Sequence, residues 1–287
     1  MKVGMIGTGL MGAPMALTLR RGGHIVVAYN RSAAKLQPLA AQGITIAATA
    51  AEVFKTCDCT ILMLADAVAL AATLFTPDTQ AALAQHTLIQ MGTIAPDQSR
   101  DLQTQVVAAQ GQYLEAPVLG SIPQARDGSL IVMVGSTSEQ FAQWQPVLTC
   151  LGEQILHIGP VGAGAAVKLA MNQLIGSLTT AFALSLALVE REHIPVDTFM
   201  GIVRKSALYA PTFDKKLSRM CDRNFSNPNF PTKHLLKDMR LFSHAAESAG
   251  LDPTLADTVA AVAQQAIAQG LADADYSALY TAVNSEV

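Results

Sequence analysis

Six residues near the start of the chain, Gly7-Thr8-Gly9-Leu10-Met11-Gly12, limit most sharply what this sequence can fold into. They follow an apolar run, VGMIG (3–7), that reads as a strand, and they lead into PMALTLRRG, which reads as a helix. In G-x-G-x-x-G the first glycine permits a tight turn and the second lets a pyrophosphate approach the backbone. The third lets the helix pack close to the strand. A phosphate then meets free N–H groups at a helix N-terminus, where the dipole favours an anion. By itself the motif is weak. Between a strand and a helix it points to a dinucleotide site, with Gly7, Gly9, Leu10, Met11 and Gly12 as its binding residues.

The end of the second strand decides which dinucleotide fits. An acidic residue there holds a ribose 2′-hydroxyl and repels a 2′-phosphate. This chain has Asn30, then Arg31 and Ser32: an amide, a guanidinium and a hydroxyl that can all bond a phosphate. The expected cofactor is NADP rather than NAD.

Further strands are predicted at 24–30, 44–47, 59–65, 87–92, 112–117, 129–135 and 153–159, with helical stretches between the early ones. Strands alternating with helices argue for βαβ units and a mostly parallel sheet. Shorter connections in the last strands allow part of it to be antiparallel or mixed. After Gly159 the character changes. GPVGAGAAVKLAMNQLIGSLTTAFALSLALVE reads as one helix of about 30 residues, roughly 45 Å long. Only helices are predicted beyond it, the last two near 231–249 and 253–270. The expected fold is α/β: a Rossmann-type doubly wound sheet (1–161), then an all-α substrate and dimerisation domain (162–287), joined by the long helix.

Residues 169–189 of that helix carry no charge, which is about the length of a membrane span. Asn172, Gln173, Ser177, Thr179, Thr180 and Ser185 interrupt the run, so it is read instead as the buried spine of a helical domain, shared with a second subunit. With 51% hydrophobic and 14% charged residues, the chain has apolar surface to spare for a homodimer or homotetramer. A net charge of −3 without blocks of like charge gives no reason to expect nucleic acid or a membrane as partner. Four scattered cysteines do not make a disulfide framework, and Cys57 and Cys59 read as buried thiols. MKVGMIG enters a strand directly and is not a leader, so the expected location is cytoplasmic. The six histidines lack metal-ligand spacing, and no G-x-S-x-G elbow suggests a hydrolase.

Near the start of the long helix stands Lys168, with Asn172 one turn later on the same face, about 6 Å along the axis. Apolar neighbours surround both. Such a lysine either snorkels to water or is partly desolvated, its pKa lowered for acid–base work.

GTGLMGAPMA, EAPVLGSIPQARDG, GPVGAGAAVKLAMN and FPTKHLLKDMRL occur in the order and spacing of the β-hydroxyacid dehydrogenase family. Across nearly its whole length the chain resembles that family, most closely its glyoxylate and succinic semialdehyde reductase branch. The resemblance implies that Lys168 is the catalytic acid/base and that Asn172 helps to place the substrate. It further implies that Thr93 lines cofactor and substrate, that Lys237 reaches the cofactor, and that Phe230 and Asp238 stand at the substrate mouth. One position departs from the family's P-V-S-G: Leu119 replaces the serine, leaving Gly120 N–H and Ser121 to bind a substrate carboxylate. The implied activity is NADPH-dependent reduction of small aldehyde acids, with a 3-hydroxyisobutyrate or tartronate semialdehyde enzyme as alternative. An imine reductase is disfavoured by Lys168, and a non-catalytic NADP-binding module by the Lys168–Asn172 pair.

Overall fold

The computed structural model of the chain describes residues 1–284; the last three positions of the expected second domain, 285–287, lie outside the described residues. The first half runs β1 (Lys2–Ile6), α1 (Gly12–Arg21), β2 (Ile25–Tyr29), α2 (Gln37–Ala40), β3 (Thr45–Ile46), α3 (Ala50–Thr56), β4 (Cys59–Leu62), α4 (Ala67–Leu74), α5 (Pro77–Ala82) and β5 (Thr87–Gln90). It continues through α6 (Pro96–Ala108), β6 (Gln112–Glu115), β7 (Val118–Leu119), α7 (Ile122–Asp127), β8 (Leu130–Gly135), α8 (Ser138–Leu148) and β9 (Gly152–Gly159). Then come α9 (Ala163–Arg191), α10 (Val196–Val203), α11 (Pro211–Cys221), α12 (Thr232–Ser248), α13 (Thr254–Ala268) and α14 (Leu279–Val283). The contacts divide the chain into Met1–Lys168 and Leu169–Val287. The break falls inside α9, past the expected boundary at 161/162, because the first turn and a half of that helix is bonded to the sheet.

The sheet order is β3-β2-β1-β4-β5-β6-β8-β7, with β9 beside β8. The strands from β3 to β6 are parallel, which brings their carboxyl ends to one edge. The tail is mixed: β8 runs antiparallel to β6 and β7 and parallel to β9. The pleat sorts the core. On β1, Val3 and Met5 pack with Met15, Ala16 and Leu19 of α1, whereas Ile6 belongs with Val53 and Phe54 of α3. Gly4 faces α3 so closely that a Cβ there would lie 2.4 Å from the Val53 side chain. All eight predicted strands form. The two-residue β7 is additional, too short to show a period.

In the helical unit, Phe182, Ala183 and Leu186 of α9 pack with Met200, Phe213 and Met220. One turn and a half earlier, a Cβ at Gly176 would lie 3.0–3.2 Å from Met239, Leu235 and Val259, so α12 and α13 come close at that point. A buried ion pair, Lys216 Nζ to Asp275 at 2.7 and 2.9 Å, ties α11 to the segment after α13. Within one chain the spine is only partly covered: Leu174, Leu184 and Leu188 of α9 are 51%, 59% and 63% exposed, because the unit packs against only part of the helix circumference. By length and composition α9 could cross a membrane, and 39% of its apolar window is buried in the protein.

At the amino edge of the sheet, buried His86 lies 2.8 Å from the Thr60 hydroxyl and against the Phe54 ring. Burial pushes its pKa down from 6.5 to about 4. A histidine lowered in this way supports the fold above its unfolded pKa and loses that contribution as pH falls toward the folded one. Stability is therefore expected to drop by up to about 3 kcal/mol through this side chain as acid is added below neutrality. His86→Gln should flatten the slope in thermal unfolding measured across the window from pH 6.5 to 4. Parallel curves for the two proteins would rule out His86 as its source.

Candidate active site

Each glycine of the turn has a distinct steric reason. Gly7 has φ +94°, and a Cβ there would lie 2.3 Å from the Met63 carbonyl oxygen. A Cβ on Gly12 would lie 1.9 Å from the Gly7 carbonyl oxygen, so α1 leaves β1 at a distance only glycine allows. At Gly9 a Cβ would meet nothing within 4 Å. The space over Gly9 is open while the other two glycines are closed, as a backbone cradle for an anion requires. Two further observations fit a dinucleotide phosphate. Thr8 Oγ1 is buried without a hydrogen-bond partner among the described residues, and α1 starts with neither a side-chain cap nor an acidic residue in its first turn. Leu10 is exposed and Met11 half-buried beside this turn.

Asn30 is held beside the glycine loop by both ends of its amide. Its Oδ1 accepts the Thr8 N–H at 3.2 Å and its Nδ2 donates to the Ser32 carbonyl at 3.1 Å. Both ends of the amide shape the turn, joining the end of β2 to the glycine loop. Arg31 and Ser32, next in the chain, are exposed.

Thr93, half-buried, follows β5 at the carboxyl edge. The Gln90 side chain fixes its approach, accepting from the Gly92 N–H and donating to the Gly92 carbonyl at 3.1 Å. From β6 the chain continues into Pro117 and β7, where Leu119 pairs with Ile131. Gly120 has φ +137°, and the Gln124 side chain crowds it: a Cβ would lie 3.1 Å from Gln124 Cβ. The Ser121 N–H (2.9 Å) and hydroxyl (2.8 Å) both donate to Gln124 Oε1. The sequence hides this, because nothing in S-I-P-Q says that the glutamine folds back over the first helical turn.

Lys168 lies half-buried in the second turn of α9. The first turn is held by a residue that sequence reasoning passed over, Glu115, the last of β6. Glu115 is 1% exposed, and its Oε1 accepts the N–H of Gly162 at 2.8 Å and of Ala165 at 3.0 Å. Its Oε2 accepts the Ser99 hydroxyl, and Ser99 Oγ lies 2.9 Å from Tyr113 Oη. Burial pushes the Glu115 pKa up, while Ser99 and the helix N–H groups pull against that.

In the helical unit Asn172 is buried, and its Nδ2 donates to Asp238 Oδ2 at 2.6 Å. Lys237 Nζ lies 3.0 Å from the other Asp238 oxygen, at ion-pair distance but without hydrogen-bond alignment. Asp238 is only 2% exposed, and its carboxylate group holds the Asn172 amide in place. Phe230 is half-buried. It stacks with His234, meets the Tyr276 ring edge-on and lies against the core of α12 and α13.

Residues 2–159 match the family described as the NAD binding domain of 6-phosphogluconate dehydrogenase. Residues 162–283 match the one described as NAD-binding of NADP-dependent 3-hydroxyisobutyrate dehydrogenase. Glyoxylate/succinic semialdehyde reductase 1 of Arabidopsis thaliana is 33% identical over 99% of this chain and 98% of its own length. Cytokine-like nuclear factor N-PAC of Xenopus tropicalis is 28% identical over 98% of this chain, which spans 53% of that protein. Among solved structures, 3-hydroxyisobutyrate dehydrogenase of Mycobacterium tuberculosis, determined with L-serine, matches with a TM-score of 0.89 and 24% identity, over 99% of both chains. At that identity the likeness speaks for the fold.

The glycine geometry separates folding from binding. Gly9→Ala places its methyl in open space, so the thermal midpoint should hold while dinucleotide affinity falls. Gly12→Ala forces two backbones apart and should destabilise the sheet unit by about 3 kcal/mol. Thermal unfolding together with NADPH fluorescence titration checks both. A Gly9→Ala protein that binds NADPH normally would place the phosphate elsewhere.

Proposed function

The chain belongs to the β-hydroxyacid dehydrogenase family and is a nicotinamide-dependent oxidoreductase; we propose that it reduces small aldehyde acids with NADPH, Lys168 being the proton donor. Succinic semialdehyde and glyoxylate are the leading substrates, supported by the Arabidopsis relative that carries both in its name. The observation that carries the reading is Lys168 itself, a half-buried ammonium in the second turn of a helix whose first turn is bonded to the sheet.

Gly7, Gly9, Gly12 and the N-terminus of α1 would hold the pyrophosphate, and Arg31 and Ser32 the 2′-phosphate. Thr93, beyond β5, lines the cofactor and substrate. When bound, the nicotinamide supplies the hydride in reduction and takes it in oxidation. Lys168 Nζ gives its proton to the alkoxide oxygen that develops on the aldehyde carbon, and in the reverse direction neutral Lys168 removes it. Asn172, held by Asp238, orients the reacting oxygen. The carboxylate is gripped by the Gly120 N–H and by Gln124 Nε2, the donor end of the amide whose oxygen engages Ser121. Leu119 supplies an apolar wall that favours the four-carbon acid over glyoxylate, by about 0.8 kcal/mol for each methylene it covers. The leucines exposed along α9 support a homodimer or homotetramer, since bare apolar stripes of this kind mark association surfaces.

Two substitutions test the reading. Arg31→Ala should weaken NADPH by about 1.5–3 kcal/mol and leave NADH almost untouched, as read by titration with each nucleotide. Equal losses would remove Arg31 from the phosphate. Lys168→Ala should lower turnover of succinic semialdehyde by about two to four orders of magnitude with NADPH affinity little changed. Lys168→Arg should fail almost as badly, because a guanidinium keeps its proton near neutral pH. An alanine variant that retains most of its turnover would sink the assignment.

A further inference from the structure

We propose that Glu115 is the positioning residue for Lys168, fixing the start of α9 to the strand that leads into the substrate loop. The inference rests on Lys168 as proton donor. Its physical basis is an unusual division of labour at the N-terminus of α9. The residue before that helix is Gly162, which has no side chain to cap it, and the first turn contains no acidic residue. Four N–H groups at such an end need acceptors, and the positive end of the dipole favours an anion. The Ala163 N–H finds the Pro160 carbonyl nearby, while one carboxylate from a distant part of the chain takes the Gly162 and Ala165 N–H groups and stands at the positive end of the dipole.

The local packing is built around that carboxylate. A Cβ on Gly135 would lie 2.4 Å from Glu115 Oε1, and one on Gly164 would lie 3.2 Å from it. Glycine at both positions lets the acid slide between β8 and the helix backbone. Ser99 of α6 closes the far side, with Tyr113 behind it. Each carboxylate oxygen therefore has a donor, and rotation of the group would break bonds to two different helices. Along the chain, Glu115 is followed by Ala116, Pro117 and the segment Val118–Leu119, then by Gly120. The same residue thus ends the strand that delivers the substrate loop and holds the turn just before Lys168. Displacing a reacting group by about 1 Å costs on the order of 100-fold in rate. A tether of this kind fixes the ammonium against the loop to within that tolerance.

The test uses the full chain with NADPH and succinic semialdehyde, and compares Glu115→Gln, Glu115→Ala and Ser99→Ala. Glutamine keeps the shape and one acceptor but loses the charge; Ser99→Ala keeps the charge and loses one anchor. Glu115→Gln is expected to lower kcat about 10-fold and Glu115→Ala about 100-fold, each with NADPH affinity kept within about two-fold. The primary isotope effect with deuterated NADPH should rise as the chemical step becomes limiting, and the first-turn amides of α9 should exchange faster with solvent. Ser99→Ala should fall between wild type and Glu115→Gln, and it carries the test if the Glu115 variants do not fold. A folded variant with faster α9 exchange but unchanged kcat and isotope effect would overturn the positioning role. So would a parallel loss of kcat and NADPH affinity, which marks general loosening of the sheet unit. Lys168→Ala, assayed beside them, keeps the two ideas apart: if it retains turnover the proton-donor reading fails, whereas if it alone is inactive only the role of Glu115 fails.

Discussion

The arrangement of the sheet unit depends on how closely one backbone can approach another at the end of β1. Gly12 lies against the Gly7 carbonyl, and Gly7 against the Met63 carbonyl, at distances no side chain permits. That contact sets the angle and depth of α1. Further along, Thr18 of α1 donates its hydroxyl to the carbonyls of Ala125 (2.8 Å) and Arg126 (3.1 Å) in α7. α7 in turn begins at the Gly120-Ser121 loop. A steric fact about two glycines is passed through one helix to another, and so to the Gly120-Ser121 loop. The glycine turn and the loop proposed for substrate are set by one chain of contacts.

α9 shows a complementary principle, in which polar groups from elsewhere hold the ends of a helix whose middle is apolar. The Glu115 carboxylate meets its N-terminal N–H groups. At the other end Arg191 lies in the last turn and donates to Asn284 Oδ1 at 3.0 and 3.1 Å, while Tyr280 bonds Glu190. A negative group at the start and a positive one at the finish both oppose the helix dipole. Between them Phe182, Ala183 and Leu186 provide packing.

Much of this was legible in the sequence, because the legible parts are local. Strand and helix periods, the glycine spacing and the single uninterrupted α9 follow from short-range sterics and burial. The opaque parts are those where a polar side chain finds a distant partner. Glu115 reads as an ordinary surface acid at a strand end; only the fold reveals three donors converging on it. Nothing in the sequence says that the Asp238 carboxylate group is buried and accepts from Asn172. Ser121 offers two donors on paper, both taken by Gln124. The leucines of α9 announce apolar surface without saying how much of the circumference the unit itself covers. Lys168 and Asn172 were found through their spacing and the family resemblance, and composition alone would have left them as helix residues.

The turn after β2 has a consequence for how a protein of this kind can diversify. Asn30 is locked in place, one end of its amide bonded to the glycine loop and the other to its own turn. Arg31 and Ser32, immediately beside it, are exposed and outside both cores of the sheet unit. On the proposed reading, in which these two side chains meet the 2′-phosphate, substitutions there alter which coenzyme is preferred while leaving the scaffold's stability intact. The redox partner of such an enzyme is therefore open to evolutionary drift on a surface the fold does not constrain, one residue away from a position where drift is forbidden.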